Sequence, residues 1–93
     1  MMAAAMAMPT HSCEIVLANG DGLHARPAAL LVKKAQGFQA EIFICANGRK
    51  ADCKSLLDIL SCGYPSGTTI TINASGPDGK EAIAVLGNLI KEL

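Results

Sequence analysis

The chain has 93 residues, enough for one small domain with a modest core. It is 51% hydrophobic but holds only two Phe, one Tyr and no Trp, so that core must be aliphatic. Formal net charge is zero, which argues against a nucleic-acid footprint or an anionic membrane surface, and aromatic platforms for stacking bases are missing.

Residues 1–8, Met-Met-Ala-Ala-Ala-Met-Ala-Met, lack the basic leader and long apolar core of a secretory signal. A disordered tail is expected over residues 1–9, ahead of a domain over residues 10–93, with Met8 as an alternative start. No stretch reaches the roughly 20 apolar residues of a membrane span, so a cytoplasmic protein with no membrane insertion is expected. His11 falls in the tail region and shows no partner.

The first strand is read over residues 13–18, with Ile15 and Leu17 inward by the two-residue period. Asn19-Gly20-Asp21-Gly22 breaks it. A helix follows from Ala25 or Arg26 to Gln36, with Ala28, Leu31, Val32 and Ala35 at helical spacing. Pro27 suits its first turn, Lys33 and Lys34 suit the negative end of its dipole, and Gly37 suits its exit. The second strand covers residues 41–46, and Asn47-Gly48 is a strong hairpin signal. The return strand, residues 49–53, should place Ala51 and Cys53 on the face of Ile42 and Ile44.

Ser55 opens a short helix over residues 55–61, with Asp58 completing a variant capping box. Gly63, Pro65 and Gly67 end it. Residues 68–74 alternate cleanly as a fourth strand. Asp78 and Glu81 form another box-like start, and the last helix carries Ala82, Leu86, Leu89 and Leu93 as a stripe widened by Ile83 and Ile90. The order is β-α-β-β-α-β-α. Strands that all alternate, with helices packed on one face, give an α+β domain.

The four cysteines, Cys13, Cys45, Cys53 and Cys62, have no zinc-like or redox-motif spacing and read as small buried side chains. No metal site and no cofactor is expected. The chain has no Walker loop, no dinucleotide loop and no paired carboxylates at metal spacing.

One stretch carries chemistry: Gly22-Leu23-His24-Ala25-Arg26-Pro27-Ala28-Ala29. It sets a histidine and an arginine where a loop becomes a helix, and a helix start offers free N–H groups and a positive dipole end to an anion. A neutral imidazole nitrogen attacks phosphorus readily, and the guanidinium of Arg26 can hold phosphoryl oxygens. The bland alternative leaves His24 as a structural helix-capping residue and Arg26 as a solvated side chain. Spacing alone leaves both readings open.

This eight-residue stretch resembles the active-site signature of the HPr family, the histidine-containing phosphocarriers of the bacterial phosphoenolpyruvate-dependent sugar phosphotransferase system. The likeness extends over about residues 12–93, through Gly37-Phe38, Asn47-Gly48, Lys54-Ser55-Leu56-Leu57 and Gly67-Thr68. It implies an open-faced sandwich with an antiparallel sheet of spatial order 1-4-2-3 covered on one face by three helices. It also implies that enzyme I phosphorylates His24 on Nδ1, that Arg26 steadies the group, and that IIA domains of sugar permeases receive it. The carrier is expected to act stoichiometrically, not as an enzyme, and nothing demands more than a monomer.

Ser55 matches a serine that a kinase/phosphorylase modifies in some of these proteins; the plain alternative is an N-cap only. Of Leu56, Leu57 and Leu60, those left exposed would form, with Ala25, a small docking patch, unless all three are core. Gln39-Ala40-Glu41 and Ala74-Ser75-Gly76-Pro77 are similar to a nitrogen-related regulatory branch, which gives a second functional reading through phosphorylation state.

Overall fold

The structure is a computed structural model that describes residues 10–93. The tail expected over residues 1–9 lies outside the described residues. The elements run β1 (Thr10–Val16), α1 (Ala25–Ala35), β2 (Glu41–Ala46), β3 (Arg49–Asp52), α2 (Leu56–Cys62), β4 (Thr69–Ser75) and α3 (Gly79–Glu92). All four strands pair antiparallel in one sheet of order β1-β4-β2-β3. This is the architecture expected from the sequence.

The sheet divides its side chains by the strand period. Ile42, Ile44 and Ala46 on β2 and Ile70, Ile72 and Ala74 on β4 turn to the helices and are buried. Leu31, Val32 and Ala35 of α1, Ile59 of α2, and Ala82, Leu86 and Ile90 of α3 close over them. Leu89, Leu93 and Ile83 pack against this core from its margin. The hairpin between β2 and β3 turns at Asn47 (φ 54°) and Gly48 (φ 75°), the two positive values that a type I′ turn requires.

Four local expectations change. β1 begins at Thr10, so His11 belongs to the strand opposite Ala74 and not to a tail. Backbone pairing with β4 holds it there, and a β-carbon on Gly79 would stand 3.3 Å from its ring. The cysteines are free thiols, and only Cys53 is buried; Cys13, Cys45 and Cys62 are half-buried. Cys45 lies on the uncovered sheet face, where its sulfur accepts from Asn73 Nδ2 at 3.7 Å. Burial pushes the Cys53 thiol up to about 12, with the Asp52 charge adding to it, which keeps that sulfur protonated.

Neither capping box closes fully. Ser55 Oγ accepts from Asp58 N at 3.2 Å, but the Asp58 carboxylate reaches Asp52 N because Ser55 N is already bonded to Asp52 O. Asp78 makes no side-chain cap to α3. Its carboxylate instead crosses to the start of β2, accepting Gln39 N and Ala40 N at 2.8 Å each. Gly76, at φ 147°, permits this junction, since a β-carbon there would lie 2.7 Å from Ala40 Cα.

The Gln39 N–H, aided by that of Ala40, holds the Asp78 carboxyl below its ordinary value of 3.8, against a smaller opposing effect of burial. A depressed folded-state value means the bond stabilises the fold above that ordinary value and is lost as pH falls through the lower, folded one. Urea midpoints of the wild type should therefore fall with acid in this window. Asp78→Ala should start lower at neutral pH and lose part of that acid dependence.

Candidate functional site

The loop joining β1 to α1 is folded on itself and pinned from outside. Gly22 N donates to Asn19 O at 3.1 Å, and the Asn19 carboxamide donates back to Gly22 O. Gly22 has φ 65°, and an added β-carbon would press on the Tyr64 carbonyl oxygen and stand 2.7 Å from Pro65 C. No side chain fits between these two segments. The next residue seals the contact, with Leu23 N donating to Tyr64 O at 3.0 Å and its side chain buried.

His24 is thereby delivered to the surface as the residue preceding α1, in extended conformation (φ −86°, ψ −170°). Its carbonyl accepts the first helical bond from Ala28 N at 2.9 Å, but its ring makes no cap bond. His24 thus occupies the capping position of α1, as its structural reading expects, but through its backbone alone; the imidazole makes no hydrogen bond to the helix. Its side chain is 49% exposed, and Nε2 lies 3.9 Å from Asp21 Oδ2.

Ala25 and Arg26 precede the first bonded turn, so their N–H groups point out of the helix start with the positive end of its dipole. Arg26 is exposed beside them, while Pro27 and Ala28 turn inward. A cleft of about 810 Å³ brings together Asn19 to Asp21, His24 to Pro27, Leu30 and Leu93. An imidazole, a guanidinium and a helix start open into one space. Such a place can accept a small anion and bond covalently to it.

Ser55 is half-buried, with its hydroxyl engaged as the cap of α2. That helix packs against α1. Leu56, Leu57 and Leu60 are all exposed, Leu57 to 77%, and Ile59 alone is buried. The alternative in which all three leucines are core is overturned. A seven-residue helix whose inward face is taken by Ile59 and the half-buried Cys62 leaves them outside. Two members of the site are absent from the sequence reading. Leu30 is 51% exposed and follows Arg26 by four residues, a same-face spacing that marks it as off the buried stripe. Asp21 has only the signature of a turn residue in the sequence, and its approach to His24 depends on the folded loop.

The family model described as PTS HPr component phosphorylation site matches residues 11–92. The chain belongs to the PTS HPr family. The phosphocarrier protein HPr of Vibrio cholerae is 45% identical over 73 residues, 78% of this chain and 86% of that protein. An HPr-like protein named Crh, from Halalkalibacterium halodurans, is 46% identical over 70% of this chain and 77% of its own. Among solved structures, an HPr from Thermoanaerobacter tengcongensis superposes with a TM-score of 0.85 at 38% identity, covering 88% of this chain and 92% of that one. Among the described residues, no helix is long and apolar enough to cross a membrane and no group of three or more His, Cys, Asp or Glu could hold a metal.

The Gly22 contact generates a direct test. Gly22→Ala adds a left-handed strain of about 1–2 kcal/mol and an overpacking cost of about 1–3 kcal/mol against Tyr64 and Pro65. Equilibrium denaturation should show a loss of about 3 kcal/mol. Gly20→Ala, where nothing lies within 4 Å, should lose far less.

Proposed function

We propose that this HPr-family chain is a stoichiometric phosphocarrier. It accepts a phosphoryl group from phospho-enzyme I on His24 and passes it to IIA domains of sugar permeases. The observation that supports this most directly is the accessible imidazole: His24 holds the capping backbone position while its ring, uncommitted to the helix, stays half-exposed in the cleft it shares with Arg26. Phosphoryl transfer needs positioning and charge stabilisation more than covalent help from the protein, and the helix start with Arg26 supplies both. Nδ1 is the atom that carries the group, as family membership implies.

Transfer is a displacement at phosphorus. The Nδ1 lone pair forms the new P–N bond as the bond to the donor breaks, and the reverse happens when a IIA nucleophile takes the group. Around the site, Ala25, Leu56, Leu57 and Leu60 form the docking surface for these partners, extended by Leu30. A carrier that must release each partner suits a small patch of this kind.

A second reading, regulatory action through phosphorylation state, draws on the Crh-named relative and on Ser55. Ser55 heads a helix where a phosphate would meet the dipole, but Asp58 already places a negative charge in the first turn. Phosphorylation by a kinase/phosphorylase would replace the cap and repel acidic partners without unfolding α2.

Intact-mass analysis after incubation with enzyme I and phosphoenolpyruvate should show one added phosphoryl group, acid-labile and mapped to His24. His24→Ala should take none; a fully labelled His24→Ala variant overturns the reading. Arg26→Ala should slow transfer about tenfold or more, the worth of one charge-assisted hydrogen bond.

A further inference from the structure

We infer that Asp21 is a positioning residue for the phosphoryl chemistry of His24, acting on the ring nitrogen that does not carry the group. This rests on the phosphocarrier reading and deepens it. The observation is the approach of Asp21 Oδ2 to Nε2 at 3.9 Å, in a loop whose shape is fixed by the Asn19–Gly22 bonds and by the Gly22 contact with Tyr64 and Pro65.

The two nitrogens of an imidazole point away from each other. A carboxylate at Nε2 therefore leaves the Nδ1 side open and favours the tautomer with its proton on Nε2. That tautomer has its free lone pair on Nδ1, which is the nucleophile the transfer requires. Asp21 selects the reacting atom without touching it.

The charge balance gives Asp21 a second task. A neutral ring that forms an Nδ1–P bond while keeping its Nε2 proton becomes cationic. The N-terminal end of α1 opposes a cation here, and the Asp21 carboxylate offsets it. When an acceptor nucleophile forms its bond to phosphorus, the Nδ1–P pair returns to the ring. With the proton retained at Nε2, the ring departs as neutral imidazole; without it, departure would need an imidazolate anion. Asp21 thus makes loaded His24 a better donor. The charged side chains around the ring are Asp21 at Nε2 and the Arg26 guanidinium.

Asp21 is 84% exposed, so the effect is that of a solvent-screened pair. Removing its charge should change phosphoryl loss about two- to threefold. The test uses the full chain phosphorylated by enzyme I and phosphoenolpyruvate, comparing wild type, Asp21→Asn and Asp21→Glu. At one mildly alkaline pH, the Nε2 nitrogen resonance of the phosphorylated wild type should lie nearer the protonated position than that of Asp21→Asn. Phosphoryl loss should be slower in Asp21→Asn by the stated factor, and Asp21→Glu should restore both readouts. A purely structural role for Asp21 would move denaturation midpoints and leave the resonance in place. Labelled Asp21→Asn with unchanged resonance and unchanged loss overturns the assignment alone. Wild-type protein that takes no phosphoryl group at His24 overturns it together with the phosphocarrier reading.

Discussion

Tyr64 is the joint on which the arrangement depends. Its phenol proton is shared between the carbonyls of Ile44 and Arg49, at 3.1 and 3.2 Å, where β2 and β3 run together. Burial and its polar neighbours push that phenol further from ionisation, so it stays a donor. Its own carbonyl accepts Leu23 N, one residue before His24. One residue therefore links the hairpin at the sheet edge to the loop that presents the histidine. Gly22 makes the link possible, because any β-carbon would separate the loop from Tyr64 and Pro65.

From that joint the site follows with little further specification. Leu23 is buried, so the chain must emerge at His24; Pro27 and Ala28 are buried, so it must re-enter within a turn. The three residues between are surface residues by necessity. Two of them are the candidate histidine and arginine, and the third, Ala25, is small enough to leave the helix start open to an anion. The opening of this cleft is a property of backbone direction as much as of side-chain identity.

Much of this was legible in the sequence where a single period governs the element. The stripe of Ala28, Leu31, Val32 and Ala35 set α1, and Ile42, Ile44, Ile70 and Ile72 set the inner sheet face. Asn47-Gly48 set the hairpin between β2 and β3. His24 and Arg26 were legible because Pro27 placed them at a helix start. What the local pattern hid is governed by distant partners. His11 reads as tail because Thr10-His11-Ser12 has no apolar alternation, yet β4 pairs with it. Asp78 has the look of a helix cap, but its strongest available donors were the two N–H groups leading into β2, 38 and 39 residues away. The leucines of α2 read as ambiguous because a seven-residue helix is too short for a period to show which side is covered.

That short helix has a dynamic consequence. α2 is tied to the core by Ile59 and the half-buried Cys62, capped at one end by Ser55 and closed at the other by Gly63 in the left-handed conformation. It has far less buried side chain than α1 or α3, so its cheapest opening leaves the sheet intact. Its amide hydrogens should exchange with solvent through such local excursions, well before those of β4. The leucines exposed on it ride on an element with little buried side chain of its own. Small adjustments of this one helix would shift those leucines while the sheet stays intact.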